Sequence, residues 1–161
     1  MRIEVVRSAR RKRTAEARLI ADDHVRVSLP SWVRPEDEHE WVQPLVEKVT
    51  RRHRSAGVDL PARAAALARR HRLPAPTSIR WVGNQGSRWG SCTPSTGEVR
   101  ISDRLADAPP YVLDYVVVHE LAHLVHGDHS PAFHELEDRY PRAERARGYL
   151  DALARYSANS V

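Results

Sequence analysis

The chain has 161 residues, enough for one domain with a proper core or a compact domain with a small appendage, and a formal charge of +5. Cys92 is the only cysteine, which excludes an intrachain disulfide and a cysteine-built zinc knuckle. No stretch has the apolar length of a transmembrane helix or the core of a signal peptide, so a cytoplasmic protein with no membrane partner is expected.

The positive charge is almost all arginine, with Lys12 and Lys48 the only lysines. Such a surplus suits polyanionic partners or substrates. It is equally what an Ala-, Arg- and Pro-rich coding bias leaves behind.

Residues 2–8 (RIEVVRS) and 24–29 (HVRVSL) alternate apolar and polar side chains as strands do, with 14–21 (TAEARLIA) a strand between them. Joined by turns at Ser8 to Arg13 and at Asp22-Asp23, the three read as an antiparallel meander. Arg7, Arg10, Arg11, Lys12 and Arg13 could touch nucleic acid or form a solvated hairpin tip. Pro35 followed by Glu36, Asp37 and Glu38 places acids at a helix N-terminus, where the helix dipole favours them. Trp41, Leu45, Val46 and Val49 form that helix's apolar stripe, with Pro44 inside it. Asp59 with Pro61 repeats the start signal for a short helix over Ala64 to Arg70.

The run Leu73-Pro74-Ala75-Pro76-Thr77 breaks that helix and marks the expected boundary. Residues 1–72 would be N-terminal strands and helices and 73–157 a second domain, or 1–157 would be one continuous domain. Ile79 to Val82 (IRWV) reads as a strand and Glu98 to Ser102 (EVRIS) as its partner. The Gly- and Ser-rich stretch from Asn84 to Pro94 suits either a tight hairpin or one wall of a binding cleft.

Tyr111 to His129 (YVLDYVVVHELAHLVHGDH) holds the strongest signal. Pro109 and Pro110 suit a helix start, because proline lacks the N–H that the first turn leaves unpaired. Val112, Leu113, Val116, Val117, Val118, Leu121, Ala122, Leu124 and Val125 make the helix apolar all round, hence buried, and Gly127 is a reasonable stop. Within it, His119-Glu120-Leu121-Ala122-His123 matches H-E-x-x-H. Residues four apart share a helix face, so His119 and His123 can aim two imidazoles at one point while Glu120 flanks it. Burying these groups without partners costs several kcal/mol, and one bound cation offsets that for all of them.

His129, six residues after His123, is the expected third ligand, with Glu135, Glu137 or Glu144 as competing carboxylates. The spacing equals that of the metzincin pattern, but the glycine falls at 127 with His126 in its place, and Met1 is the only methionine, so no Met-turn exists. His126 and His134 read as surface or supporting residues, and Asp114 and Asp138 as groups that could orient the ligand rings. Ser130-Pro131 starts a further helix with Phe133, Leu136 and Tyr140 on its apolar face, and a last helix runs over Arg142 to Tyr156.

With Ser87-Arg88-Trp89-Gly90-Ser91-Cys92, then His119-Glu120-Leu121-Ala122-His123, then His129-Ser130-Pro131-Ala132-Phe133, the chain resembles the YgjP-like metal-dependent hydrolases, which are metallopeptidase-like and related to SprT and Spartan zinc proteases. The similarity runs from the N-terminal strands to Tyr156 and is strongest from Ile79 to Tyr140. The resemblance implies an α+β class, with a zincin-like domain whose small antiparallel sheet packs beside the metal helix, after an N-terminal β-meander and helices. It also implies His119, His123 and His129 as ligands of one Zn²⁺ per chain and Glu120 as the catalytic carboxylate.

The expected function is therefore a zinc-dependent hydrolase, a metallopeptidase in which Glu120 is general base to a metal-activated water acting on a peptide or protein. Mn²⁺, Co²⁺ or Ni²⁺ could also occupy three histidines. Arg88 is the preferred donor to the oxyanion, ahead of His134, Tyr111, Tyr115 and Tyr140, with a structural ion pair as its alternative role. Trp89 reads as a core anchor and Cys92 as a small buried residue. Two other functions stay open at this stage. One is a metal-dependent hydrolase of a nucleotide phosphoanhydride, with arginine neutralising phosphate. The other is a DNA-associated protease or nucleic-acid-binding protein that docks through the basic N-terminal hairpin.

Overall fold

The computed structural model describes residues 1–158, which fall into two compact units, Met1–Arg54 and the remainder from Ser55. The first unit holds β1 (Arg2–Ser8), β2 (Glu16–Ala21) and β3 (His24–Pro30), then a 3-10 turn at Pro35–Asp37 and helix α1 (Glu38–Ala56), whose last two residues cross into the second unit. The sheet order is β1-β3-β2. β3 takes the centre because it is the most apolar strand: Val25, Val27 and Leu29 are fully buried, under Val42 and Val46 of α1. The opposite face is charged, with Arg26 on Glu4 at 3.0 Å and Arg18 on Glu16 at 2.6 Å. Pro44 lies on the exposed side of α1, where water can meet the carbonyl it leaves unbonded.

Here the expected meander differs in strand direction. β2 and β3 form the antiparallel hairpin across Asp22-Asp23, but β1 pairs with β3 in parallel, Ile3 opposite Val25 and Val5 opposite Val27. Residues 9–15 are long enough to carry the chain past the slot that β3 then fills, whereas a direct β1–β2 hairpin would leave β3 at an edge with apolar faces exposed.

The second unit holds α2 (Leu60–His71), β4 (Ser78–Val82), β5 (Gly90–Thr93), β6 (Glu98–Ser102), a 3-10 helix (Asp103–Asp107), α3 (Pro110–Ala122), α4 (Pro131–Glu137) and α5 (Ala143–Ala158). The local start signals act as expected. Asp59 accepts a hydrogen bond from the Ala62 amide at 3.0 Å, Ser130 accepts one from Phe133 at 3.4 Å, and Pro110 opens α3. The α+β class holds, with the sheet beside α3 as anticipated. Its strand directions are mixed rather than antiparallel: the order is β4-β6-β5, with β4 parallel and β5 antiparallel to β6. Again the most buried strand is central, Val99 and Ile101 of β6 being wholly enclosed. β5 lies within the stretch that composition assigns to a hairpin or cleft loop, because Gly90 and Ser91 carry little strand propensity; its pairing to β6 supplies what composition does not.

α3 is buried on nearly all sides and packs against α2, α4, α5, β5 and β6. α2 belongs with it: Arg63 donates to Asp114 of α3 at 2.6 Å, and Leu60, Ala64 and Leu67 join the same core. The compact units meet at 54/55, with α2 and the 72/73 position both inside the second. Proline breaks a helix at Leu73 without ending a core. Among the described residues no helix is long and apolar enough to cross a membrane.

The β5–β6 hairpin turns on Gly97, at φ +69°, whose amide donates to the Thr93 carbonyl and whose carbonyl accepts from Thr77, both at 2.9 Å. A Cβ there would approach the Thr77 Cβ to 3.2 Å and its amide nitrogen to 3.3 Å. Gly97→Ala is expected to cost about 1–3 kcal/mol in urea unfolding monitored by circular dichroism.

Candidate metal centre

α3 ends where the chemistry begins. Its last helical residues carry His119 and Glu120, His123 caps it, and the turn after it returns His129 to the same place. The helix stops at Ala122, earlier than Gly127, because the amides of Leu124, Val125 and His126 tighten back onto Leu121 and Ala122. One ring nitrogen from each of His119, His123 and His129 lies within 4.8 Å of the others, and the ring centres are 4.7–5.2 Å apart. Phe133 of α4, fully buried, forms a floor under all three rings at 4.5–5.0 Å. Glu135 and Glu144, the competing carboxylates, are exposed and outside this cluster.

Hydrogen bonds behind the rings fix which nitrogen faces inward. His123 Nδ1 donates to the His126 carbonyl at 3.0 Å, and His119 Nδ1 donates to Glu137 Oε1 at 2.6 Å. With both Nδ1 atoms engaged, the Nε2 lone pairs face the cleft. His119 Nε2 and His129 Nε2 then stand 3.3 Å apart. Two nitrogens held at ~2.0–2.1 Å by one tetrahedral ion are separated by roughly 3.3–3.4 Å. The residues therefore fit a divalent ion with nitrogen ligands.

Glu137, a competing ligand by sequence, is not in the ligand cluster. It sits at the back of the site instead, one per cent exposed, receiving Tyr115 Oη at 2.6 Å and His134 Nδ1 at 3.2 Å besides His119. Burial alone would raise its pKa; hydrogen bonds from His119, Tyr115 and His134 outweigh that and hold it at about 2. A signal for it existed: Glu137 is four residues after Phe133 on α4, so both must face the core. Asp114 is occupied by Arg63, and Asp138 by Arg147, so neither touches a ligand ring. His126 serves through its carbonyl and His134 through Glu137.

Glu120 is buried beside the imidazoles, against the backbone of β5. Burial pushes its pKa up to about 7, against the opposing charges of His119 and Arg88. Burial likewise lowers His123, with its two histidine neighbours adding to the effect, and raises Cys92 to about 11 next to Glu120.

A cleft of about 600 Å³ opens over these groups, walled by β5 (Gly90, Ser91, Cys92), by Val116 and Tyr115 of α3, and by Arg147 and Leu150 of α5. Arg88 lines its mouth with an exposed side chain, and its carbonyl accepts from Arg104. Trp89 is half-buried under the Arg104 guanidinium, 4.1 Å from the ring centre. The other proposed oxyanion donors are committed elsewhere or stand back: Tyr115 donates to Glu137, Tyr140 donates to the Tyr111 carbonyl, and the Tyr111 ring lies under Arg145.

A helix presenting H-E-x-x-H, a third histidine from the following turn and a strand edge along the cleft are the parts of a metallopeptidase-type domain. The family of YgjP-like metallopeptidase domains matches residues 16–153, and this chain belongs to it. That membership implies a metal-dependent hydrolase with a protein or peptide substrate. No curated protein and no solved structure matches the chain.

Gly90 governs how close Glu120 can lie. A Cβ on it would come within 2.8 Å of Glu120 Cγ and 2.9 Å of Cδ. Gly90→Ala should push the carboxylate toward water and lower its pKa from about 7 toward the ordinary carboxylate range, read by NMR titration of the metal-free protein.

Proposed function

We propose that this chain is a zinc-dependent metallopeptidase in which His119, His123 and His129 hold the ion, Glu120 moves the proton and Arg88 steadies the developing oxyanion. One observation carries the reading: three imidazole nitrogens converge within 4.8 Å while Glu120 lies beside them, outside the hydrogen bonds that fix His119 and His123. A donor set of histidine alone favours zinc and leaves a coordination position open. When bound, the ion supplies Lewis acidity at that position.

The chain's own residues do the rest. Glu120, poised near neutrality, can take a proton from the attacking water and pass it to the leaving amine. Arg88 carries a charge felt by Glu120 and projects from the loop ahead of β5, which suits a donor to the carbonyl oxygen. Among the described residues β5 is an edge strand whose strand partner is β6, so its other edge can receive an extended peptide along the cleft. Val116 and Leu150 offer apolar wall for a side chain.

The nucleotide alternative draws on one cleft guanidinium, since Arg147 is already bonded to Asp138. The nucleic-acid alternative rests on the β1–β2 turn, where Arg7 and Arg11 are paired with Glu38 and Glu16. Neither has support to match the strand edge beside the histidines.

Turnover of an unfolded protein such as casein is the direct assay. Glu120→Gln should keep the ion and lose about 10²–10⁴-fold in kcat. Arg88→Met should lose about 10²–10³-fold if it donates to the oxyanion. Chelation should abolish activity and added zinc restore it. Unchanged casein turnover in Glu120→Gln, or turnover of nucleoside triphosphates alone, would overturn the peptidase reading.

A further inference from the structure

The four groups around Glu137 come from three helices: Tyr115 and His119 from α3, His134 from α4 itself, and Arg147 from α5. Oε1 accepts from the Tyr115 hydroxyl and from His119 Nδ1, both at 2.6 Å. Oε2 faces His134 Nδ1 at 3.2 Å and Arg147 Nη2 at 3.8 Å. A carboxylate only accepts, so every one of these partners must bring a proton. Arg147 is itself held by Asp138.

Consider His119 without this acceptor. A neutral imidazole carries its proton on either nitrogen. The proton on Nε2 would point at His129 Nε2, 3.3 Å away, and make a histidine–histidine hydrogen bond across the cleft. That bond uses both lone pairs that a cation needs and closes the site upon itself. An acceptor behind Nδ1 draws the proton to the far side of the ring, so His119 cannot be the donor in that bond and keeps its Nε2 lone pair for a cation.

We propose that Glu137 is a positioning residue: with Tyr115 and Arg147 it holds His119 in the Nδ1–H form, so that the His119 Nε2 lone pair is always turned to the cleft and never replaced there by an N–H. This rests on the ligand reading given above. It adds that metal affinity depends on a residue that does not touch the metal, and on α5, through Arg147.

Two measurements test it. Ring ¹⁵N shifts of the metal-free wild-type protein should show His119 protonated on Nδ1 and bare on Nε2. A proton on Nε2 would overturn the proposal whatever any variant does. Zinc competition against a chromophoric chelator should then show Glu137→Gln binding about 10–100-fold more weakly than wild type, with His119 shifted toward the Nε2–H form. Tyr115→Phe, which leaves the carboxylate in place, should weaken binding less and keep the wild-type tautomer. His123→Ala separates the two levels of the argument. If it binds zinc as tightly as wild type, the ligand reading fails; if it loses zinc while Glu137→Gln keeps wild-type affinity, the ligands stand and the positioning role is wrong.

Discussion

The constraint on which the second unit depends is the burial of nitrogen and oxygen in an apolar helix. α3 is valine and leucine on nearly every side, yet it carries His119 and Glu120 at its end and Tyr115 one turn earlier. A polar atom in such surroundings costs several kcal/mol unless something meets it. The Tyr115 hydroxyl and the Nδ1 atoms of His119 and His123 are met from outside the helix. Glu137 takes the protons of Tyr115 and His119, the His126 carbonyl takes that of His123, and Phe133 closes the space beneath the rings. What stays unmatched is the set of lone pairs turned toward the cleft, and a divalent cation is the partner that satisfies them together.

The neighbouring elements follow from that requirement. α4 begins sharply at Ser130 and Pro131 and presents Phe133 and Glu137 on one face, so a single short helix supplies both the floor of the site and the acceptor behind it. β5 gives up side-chain volume at Gly90 so that Glu120 can lie against its backbone. That closeness desolvates the carboxylate, which brings its proton affinity near neutral pH. Strand, helix and loop thus act on one another's chemistry: glycine in β5 sets the basicity of a residue on α3.

Much of this was legible in the residues. H-E-x-x-H inside an apolar run with prolines ahead of it specifies a buried helix and two inward imidazoles, because helical spacing leaves few other arrangements. Caps at Asp59 and Ser130 could be read for the same local reason. Strand partners were harder. Parallel pairing of β1 with β3 and of β4 with β6 depends on which strand is most apolar, a comparison across the chain that alternation within one segment does not make. β5 was hidden by its glycine and serine, and Glu137 by its charge: a glutamate on a short helix reads as surface or ligand until Phe133 is seen to share its face. Pro74 and Pro76 mark the end of a helix, while α2 shares the core of α3 through Leu60, Ala64 and Leu67, a contact that punctuation in the sequence does not reveal.

The most direct test of the central claim is anomalous diffraction at the zinc absorption edge from crystals of the zinc-loaded protein. One strong peak joined to Nε2 of His119, His123 and His129, with the Glu120 carboxylate nearby and unbonded to it, is the result expected. A zinc-saturated crystal with its peak elsewhere, or with no peak and the three rings turned apart, would contradict the account.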